Sequence, residues 1–278
     1  MAADSLSRCT VGIVGLGLIG GSLALALRPK VRRVVGIDPD PAARRIARRR
    51  HAVHKASADL GALANCDLVV VAAPQAKVAA VCARAARRMR PGATLVEVSS
   101  VKGPVVERLG SIAAHVNIVC AHPMAGTEHS GMENAVAGLF KGRPFVLLPA
   151  RVRDRTALAL ARQLPRALGA RALWMLDAAE HDALGARLIH LPHLLAYALV
   201  AIAKDTRMAG PSFRSATRVA RSLPRMAAEM LHANRREIRR ALPAFARELR
   251  RLARLLDSPK RLQAVLAGLR RLDDRGRL

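Results

Sequence analysis

The sequence contains few aromatic residues and no long uninterrupted apolar segment. Phe, Tyr and Trp make up 2% of the 278 residues, six side chains in all, which is too few for the stacking platforms that bind single-stranded nucleic acid. The longest apolar run in the middle of the chain, residues 194–203, is about half the length that a membrane helix requires. We therefore expect neither a nucleic-acid-binding protein nor a polytopic membrane protein.

The chain is also poor in cysteine. Cys9, Cys66, Cys82 and Cys120 form no Cys-x-x-Cys pair, and a chain of this length does not need disulfides for stability. The apolar stretch 11–27 has the composition of a signal-peptide core, but it holds five glycines and follows no clearly positive segment. These features predict a cytoplasmic protein with reduced thiols.

Arginine is what the sequence has in excess. Lys and Arg number 47 against 20 Asp and Glu, for a net charge of +27, and forty of the 47 are Arg. Residues 1–176 carry +16 and residues 177–278 carry +11. This even distribution indicates a bias of the whole surface and not a basic nucleic-acid-binding tail.

The pattern of apolar runs changes near residue 176. Before it, short β-rich runs alternate with helical patterns, which is typical of a parallel sheet covered by helices on both faces. After Asp177 no strand-like run remains, and residues 234–256 carry an apolar stripe opposite a face of arginines. We therefore predict an α/β protein with a Rossmann-type doubly wound sheet in residues 1–176. An all-α domain follows in residues 177–278. We interpret its apolar stripe as a packing face in a dimer, with a membrane-surface helix as the alternative.

A glycine-rich turn follows the first predicted strand and opens a helix. The turn reads Gly15, Leu16, Gly17, Leu18, Ile19, Gly20. In this G-x-G-x-x-G pattern the glycines allow a tight turn, a close approach of backbone to a pyrophosphate, and close packing of helix on strand. The helix N-terminus adds free N–H groups for phosphates. The turn therefore predicts a dinucleotide site.

Asp38 predicts which dinucleotide is bound. It ends the second predicted strand, about twenty residues after the turn, where a carboxylate binds ribose hydroxyls and repels a ribose phosphate. NAD is therefore favoured over NADP, with FAD as an alternative on the same pattern. Arg44 and Arg45 on the next helix are the argument for NADP, but in a chain with forty arginines we interpret them as a solvated face.

A second motif follows the strand that ends at Cys120. It reads HPMAGTEHSG and begins at His122, where the carboxyl end of a strand meets the ligand crevice of an open α/β sheet. A histidine there can take a proton from an alcohol as hydride leaves the same carbon. Since an isolated histidine at a strand end is more often structural, the surrounding residues decide its role.

With these motifs the sequence resembles the prephenate/arogenate dehydrogenase family of tyrosine biosynthesis, and most of all its prephenate dehydrogenases. The resemblance covers the chain from about Thr10. The motifs that carry it are GLGLIGGS at 15–22, SSVKG at 99–103, HPMAGTEHSG at 122–131, HLPH at 190–193 and FRSATRVA at 213–220. The resemblance implies NAD-dependent oxidative decarboxylation of prephenate to 4-hydroxyphenylpyruvate, by a homodimer formed through the helical domain.

The resemblance also implies roles for residues at matching positions. His122 matches the catalytic histidine that accepts the proton of the ring hydroxyl, and Ser100 matches a serine that contacts this hydroxyl and the nicotinamide. The implied substrate-binding residues are Thr127, Glu128, His193, Arg218 and, at a pocket or neighbouring position, His181. Arg218 matches the arginine that holds a substrate carboxylate, a task for which a guanidinium is better shaped than an ammonium.

Three positions depart from the family pattern. Ile189 stands where many relatives have Ser, Ser215 stands where many have an Asp that steadies the arginine, and Met226-Ala227 replaces a usual Met-Trp pair. These departures lie at the side-chain end of the implied pocket. Arogenate, or an amino analogue of prephenate, is therefore the alternative substrate.

Other interpretations have less support. His181, His190 and His193 lack the Cys or carboxylate pair that would complete a metal site, so no metal is expected. A non-catalytic NAD sensor is the alternative of another class, but a sensor has no need of a proton acceptor at His122. Lys102 is either close to the cofactor or solvated. Since little chain follows the last predicted helices, we expect no added regulatory domain.

Overall fold

The computed structural model describes residues 5–108, 110, 112–127, 129–152, 155–175 and 177–274. Glu128, a predicted substrate-binding residue, lies outside this set. The described residues form one eight-stranded sheet. Its strands are β1 (Thr10–Val14), β2 (Arg33–Ile37), β3 (Lys55–Ser57), β4 (Leu68–Val71), β5 (Thr94–Glu97), β6 (Asn117–Pro123), β7 (Pro144–Arg151) and β8 (Arg171–Trp174).

The spatial order of the strands is β3-β2-β1-β4-β5-β6-β7-β8. The first six strands are parallel, and Val11 of β1 lies beside Val34 of β2 and Leu68 of β4. This is the strand order of a dinucleotide-binding sheet, so the predicted Rossmann-type fold is confirmed. The last two strands depart from the predicted parallel sheet, because β7 runs antiparallel to β6 and pairs in parallel with β8.

Helices cover both faces of the sheet. They are α1 (Leu18–Leu27), α2 (Pro41–Arg49), α3 (Val78–Ala86), α4 (Gly103–Val106) and α5 (Arg155–Leu168). One apolar core contains Leu23 of α1 and Leu164 of α5, and the other contains Val78 of α3. Strands β1 and β4 are buried along their whole length because they have a core on each side.

The rest of the described chain is helical. Its elements are α6 (Ala178–Gly185), a π-helical turn (Ala186–His190), α7 (Leu191–Ile202), α8 (Pro211–Ala216), a 3-10 turn (Arg218–Arg221), α9 (Pro224–Ala233), α10 (Arg235–Ala253) and α11 (Pro259–Asp274). Pro192 lies shortly after the π-helical turn, and the helical run continues through it to Ile202. The apolar core cluster of these helices is small and consists of Ala186, Leu191 and Ile238.

The continuous helical run Ala178–Ile202 is long and apolar enough to cross a membrane by length and composition, with 28% of its most apolar window buried. It also carries His181, Asp182 and His190, which are buried and hydrogen-bonded to other parts of the protein. Buried and paired polar groups of this kind are expected of an interior helix in a globular fold.

Candidate active site

The glycine-rich turn leaves β1 at the carboxyl edge of the sheet. Gly15 has a φ of +92°, in the region that favours glycine, and a Cβ there would collide with the carbonyl of Ala72. A Cβ on Gly20 would collide with the carbonyl of Gly15. Both positions therefore require glycine for the turn itself.

Gly17 is different, because a Cβ at this position would meet nothing within 4 Å. Gly17 is the N-cap of α1, and no side chain caps this helix end. The first-turn N–H groups of α1 are consequently without a capping side chain, and the backbone at Gly17 is open to the approach of a phosphate group. The cradle fits the phosphates of NAD, with Gly17 and the backbone of Leu18 and Ile19 as the groups that would hold them.

Asp38 lies immediately after β2, next to this cradle. Its carboxylate accepts hydrogen bonds from the backbone N–H of Leu16 at 2.7 Å and of Asp40 at 2.8 Å. Each oxygen keeps a further lone pair for a ribose hydroxyl. Arg44 is not simply solvated, since its Nη1 donates to the carbonyls of Asp38 and Pro39 at 2.6 and 2.8 Å, whereas Arg45 is exposed.

A buried ion pair lies beneath the site. Nζ of Lys102 is 2.5 Å from Oε1 of Glu97 at the end of β5 and donates to the carbonyl of Ala121 at 2.6 Å. Both side chains are 0% exposed, so the solvated alternative for Lys102 is excluded. Ser99 adds a 2.6 Å hydrogen bond to Oε2 of Glu97. Removing either charge would leave the other buried and unpaired, at a cost of about 3–5 kcal/mol.

His122 stands at the end of β6, above this ion pair, and begins a chain of hydrogen bonds into the helical part. Its Nδ1 lies 3.0 Å from Nε2 of His181 on α6. Nδ1 of His181 lies 2.7 Å from Oδ1 of Asp182. Asp182 also accepts from the backbone N–H groups of Lys102 at 2.9 Å and Gly103 at 2.8 Å. His181 therefore contacts the catalytic candidate directly, which the sequence pattern alone did not indicate.

The surroundings keep His122 neutral. Burial is the largest cause that holds the pKa of His122 well below its usual range, and the positive charge of Lys102 and the neighbouring imidazoles of His181 and His190 act in the same direction. Because a neutral imidazole has one nitrogen without a proton, His122 can act as a proton acceptor at neutral pH.

His190, in the HLPH motif, is fully buried next to the same cluster. Nδ2 of Asn234 lies 2.9 Å from Nδ1 of His190 and donates to the carbonyl of Asp182 at 2.8 Å. Burial and the neighbouring His193 lower the pKa of His190 to about 4. Nε2 of His190 and the hydroxyl of Tyr197 are buried without a hydrogen-bond partner among the described residues.

The other predicted site residues are less buried than this cluster. His193 is half-buried and its Nδ1 donates to the carbonyl of Ile189 at 2.8 Å. Ser100 is half-buried beside Ser99, and Thr127 is exposed. Arg218 is exposed on the 3-10 turn, which packs against α7 and so lies on the side of the site that carries His193.

Three buried residues of the site escaped the sequence analysis. Glu97 could have been noticed in the sequence, because this carboxylate ends β5 and is followed by the apolar Val98. No feature of the sequence pointed to Asp182 or Asn234, because an Asp next to a His and an Asn before a helix are common at solvated positions. Their importance comes from contacts across 80 and 44 residues of chain.

Together, the cradle at α1 and the neutral histidine at the same edge of the sheet define a class of protein: an oxidoreductase that uses NAD. Comparisons with known proteins agree. The family described as "Prephenate dehydrogenase, nucleotide-binding domain" matches residues 23–174, and "Prephenate dehydrogenase, dimerization domain" matches residues 177–269. The chain belongs to the prephenate dehydrogenase family.

Individual relatives bear different names within this family. Cyclohexadienyl dehydrogenase of Zymomonas mobilis is 31% identical over 255 residues, covering 87% of this chain and 86% of the relative. Prephenate dehydrogenase of A. aeolicus, solved in complex with hydroxyphenyl propionate and NAD+, is 27% identical, with a TM-score of 0.86 over 98% of this chain and 99% of that one. Synechocystis arogenate dehydrogenase is also 27% identical, with a TM-score of 0.81 over 96% of this chain and 99% of that one.

Proposed function

We propose that this protein catalyses the NAD-dependent oxidative decarboxylation of prephenate to 4-hydroxyphenylpyruvate in tyrosine biosynthesis. The observation that carries the proposal is the buried, neutral His122 at the carboxyl edge of a sheet whose glycine-rich turn fits a dinucleotide. The relatives are named for different substrates, one as a cyclohexadienyl dehydrogenase and another as a prephenate dehydrogenase. The identity of the substrate is therefore the first point to test.

The reaction needs a group that accepts the proton of the ring hydroxyl. Bound NAD supplies the hydride acceptor. In our proposal the hydroxyl proton moves to Nε2 of His122 while the carbon that bears the hydroxyl loses its hydride. The ring carboxylate then leaves as carbon dioxide, its bonding electron pair enters the ring, and the ring oxygen takes up a proton as the ring becomes aromatic.

The remaining predicted residues complete the site in this proposal. Ser100, next to the buried Ser99, contacts the ring hydroxyl. Thr127 contacts the substrate from the side of the Rossmann-type domain, and His193 and Arg218 approach from the helical side. Glu128, which lies outside the described residues, is assigned to substrate binding from the motif alone. Arg218 binds a substrate carboxylate through its guanidinium. Residues 1–176 thus hold NAD, and residues 177–278 contribute to the substrate site.

The subunits and their location are part of the same proposal. We infer a homodimer, supported by the match of residues 177–269 to a dimerization domain and by the exposed apolar side chains on the helical part. A cytoplasmic location is supported by the four cysteines of the described chain, which are buried and form no disulfide.

The first experiment is a substrate panel followed by absorbance at 340 nm. Purified protein with NAD is given prephenate, arogenate and an amino analogue of prephenate in parallel, and NADP replaces NAD in a second set. Turnover of prephenate with NAD supports the proposal. Turnover of arogenate alone would favour the second candidate, to which the departures at Ile189 and Ser215 and the likeness to the Synechocystis enzyme point. Binding of NAD without turnover of any substrate would favour a sensor.

A further inference from the structure

Two residues beside His122 determine which of its nitrogens carries the proton. The carboxylate of Asp182 accepts a backbone N–H at each oxygen, from Lys102 at Oδ1 (2.9 Å) and from Gly103 at Oδ2 (2.8 Å). Both oxygens are thus acceptors, so the 2.7 Å contact between Oδ1 and Nδ1 of His181 requires the proton to be on Nδ1.

The same reasoning extends to His122. With its proton on Nδ1, a neutral His181 presents the lone pair of Nε2 to Nδ1 of His122 across 3.0 Å. Nδ1 of His122 must therefore be the donor, and Nε2 must be the nitrogen without a proton. Among the described residues, Nε2 of His122 has no hydrogen-bond partner of its own. The chain of hydrogen bonds accordingly leaves a basic nitrogen available at the site.

The positions of these residues show why the arrangement is rigid. His181 and Asp182 are 4% and 6% exposed, so water competes little with either hydrogen bond. Asp182 is anchored on three sides, because Nδ2 of Asn234 also donates to its backbone carbonyl at 2.8 Å. Its carboxylate sits at the N-terminal end of α4, where a negative charge is favourable and where no other side chain caps the helix.

We propose that Asp182 and His181 are positioning residues that fix His122 in the tautomer whose Nε2 accepts the substrate's proton. The inference rests on the proposed function, since it assigns a role to His122 in proton transfer. It adds that the helical part of the chain supplies the groups that orient a base held on β6. In this way residues of α6 orient the proton acceptor His122, which belongs to the Rossmann-type domain.

The direct test is the assignment of the imidazole nitrogens by NMR in protein labelled with ¹⁵N-histidine. The chain has nine histidines, and the His122→Asn spectrum identifies the signals of His122. At neutral pH, without substrate, we expect Nε2 of wild-type His122 to be unprotonated and Nδ1 to carry the proton. The reverse assignment in the wild-type protein would overturn the proposal.

Two variants connect the tautomer to turnover. Asp182→Ala removes the acceptor for His181, so we expect both tautomers of His122 and a fall in kcat on the order of 100-fold. The affinity for NAD should stay within about twofold. Asp177→Ala is the matched control, because the Asp177 side chain caps the same helix through a 2.7 Å bond from the N–H of Glu180 but forms no hydrogen bond with either histidine side chain. Equal kcat values for the two variants would overturn the proposal.

His181→Phe separates orientation of His122 from capping of α4. It keeps the bonds from Asp182 to Lys102 and Gly103 but removes the partner of His122, so kcat should fall while the melting temperature changes little. This variant also serves if Asp182→Ala fails to fold. Wild-type kcat in His181→Phe would contradict a positioning role. A wild-type protein that oxidises none of the substrates would refute the proposed function instead, since the nitrogen assignment needs no substrate.

Discussion

At the scale of single residues, the environment of His122 meets two requirements of a proton acceptor. A proton acceptor must be neutral, and burial together with the charge of Lys102 lowers the pKa of His122 to keep it so. A good acceptor must also be held in one orientation, which the 3.0 Å contact with His181 provides. The charge of Lys102 is itself balanced by the carboxylate of Glu97, with which it forms a fully buried ion pair.

His122→Asn tests this role. An amide cannot accept the proton, so we expect kcat to fall by roughly 10²–10⁴-fold, while NAD binding, measured by calorimetry, stays unchanged. His51→Asn is the control, because His51 is exposed and has a φ of +50°, a conformation that Asn accepts readily. Turnover that survives His122→Asn would remove His122 from the mechanism.

Asp38 should determine the preference for NAD. In Asp38→Asn the negative charge that repels a ribose phosphate is lost, and Arg44 is already close by on the carbonyl of Asp38. We expect the ratio of kcat/KM for NAD over NADP to fall by about tenfold or more, which corresponds to about 1.4 kcal/mol. The ratio is measured at 340 nm with saturating substrate.

Asp40→Asn provides the matched control for that change. Asp40 is exposed two residues away and caps α2 through the N–H of Ala42, a role that Asn also fulfils. The two variants therefore change the net charge equally at nearly the same place. An equal loss of preference in both would mean that general surface charge, and not Asp38, selects the cofactor.

Residues that act through neighbours in sequence could be predicted, and those that act through distant contacts could not. The turn from Gly15 to Gly20 needs only its own backbone geometry, so its spacing revealed it. Asp182 has its role because α6 brings it to the loop at Lys102, 80 residues away in the sequence. A local sequence pattern cannot indicate a contact between residues that are so far apart in the chain.

At the scale of elements, most strands were predicted from apolar runs, but the direction of β7 was not. A parallel crossover normally needs a helix to return the chain to the same edge of the sheet. The described residues between β6 and β7 contain no helix, so the chain enters β7 from the opposite end and the pair is antiparallel. Helix α5 then provides the crossover that makes β7 and β8 parallel.

The N-terminus of α1 makes a prediction about two glycines that look equivalent in sequence. Gly17→Ala should fold with an unchanged melting temperature, because its Cβ meets nothing within 4 Å, yet it should weaken NAD binding by about tenfold or more, since the methyl group occupies the phosphate cradle. Gly20→Ala should instead lower the melting temperature, because its Cβ collides with the turn.

Thermal unfolding and calorimetric titration with NAD measure the two effects separately. Gly138→Ala is the control for a harmless methyl group, since it is exposed and also has open space around its Cβ. If Gly17→Ala binds NAD as the wild-type protein does, the pyrophosphate does not lie over this turn.

At the scale of the whole molecule, the helical part leaves apolar surface uncovered in the single chain. Leu242 and Leu249 on α10 are 44% and 56% exposed, and Leu266 on α11 is 49% exposed. Apolar patches of this kind mark interfaces. We expect light scattering to give twice the chain mass of 29.8 kDa, and the double variant Leu242→Lys/Leu249→Lys to weaken the dimer by at least about tenfold.

Leu173→Lys is the control for this surface change. Leu173 is 49% exposed but lies on the edge strand β8, where lysine is well tolerated. A double variant that remains as dimeric as Leu173→Lys would place the interface elsewhere.

Stability should also depend on pH through the buried histidines. The pKa of His190 is about 4 in the folded protein and about 6.5 in the unfolded chain. Between these values the unfolded chain binds a proton that the folded protein does not, so the free energy of unfolding rises with pH. The contribution of His190 is complete above about pH 6.5 and is lost as the pH falls from about 6.5 to about 4. This difference amounts to about 3 kcal/mol for His190, and the lowered pKa of His122 adds to it in the same direction.

Denaturant unfolding at pH 7, 5.5 and 4.5, at one protein concentration, measures this dependence. His190→Gln retains an oxygen that can accept from Asn234 but has no group that titrates, so its stability should change less with pH by about one bound proton. His51→Gln, at an exposed position, should keep the wild-type slope. Equal slopes for the wild-type protein and His190→Gln would show that the pKa of His190 is the same in the folded and unfolded states, and would contradict the expected effect of burial on this histidine.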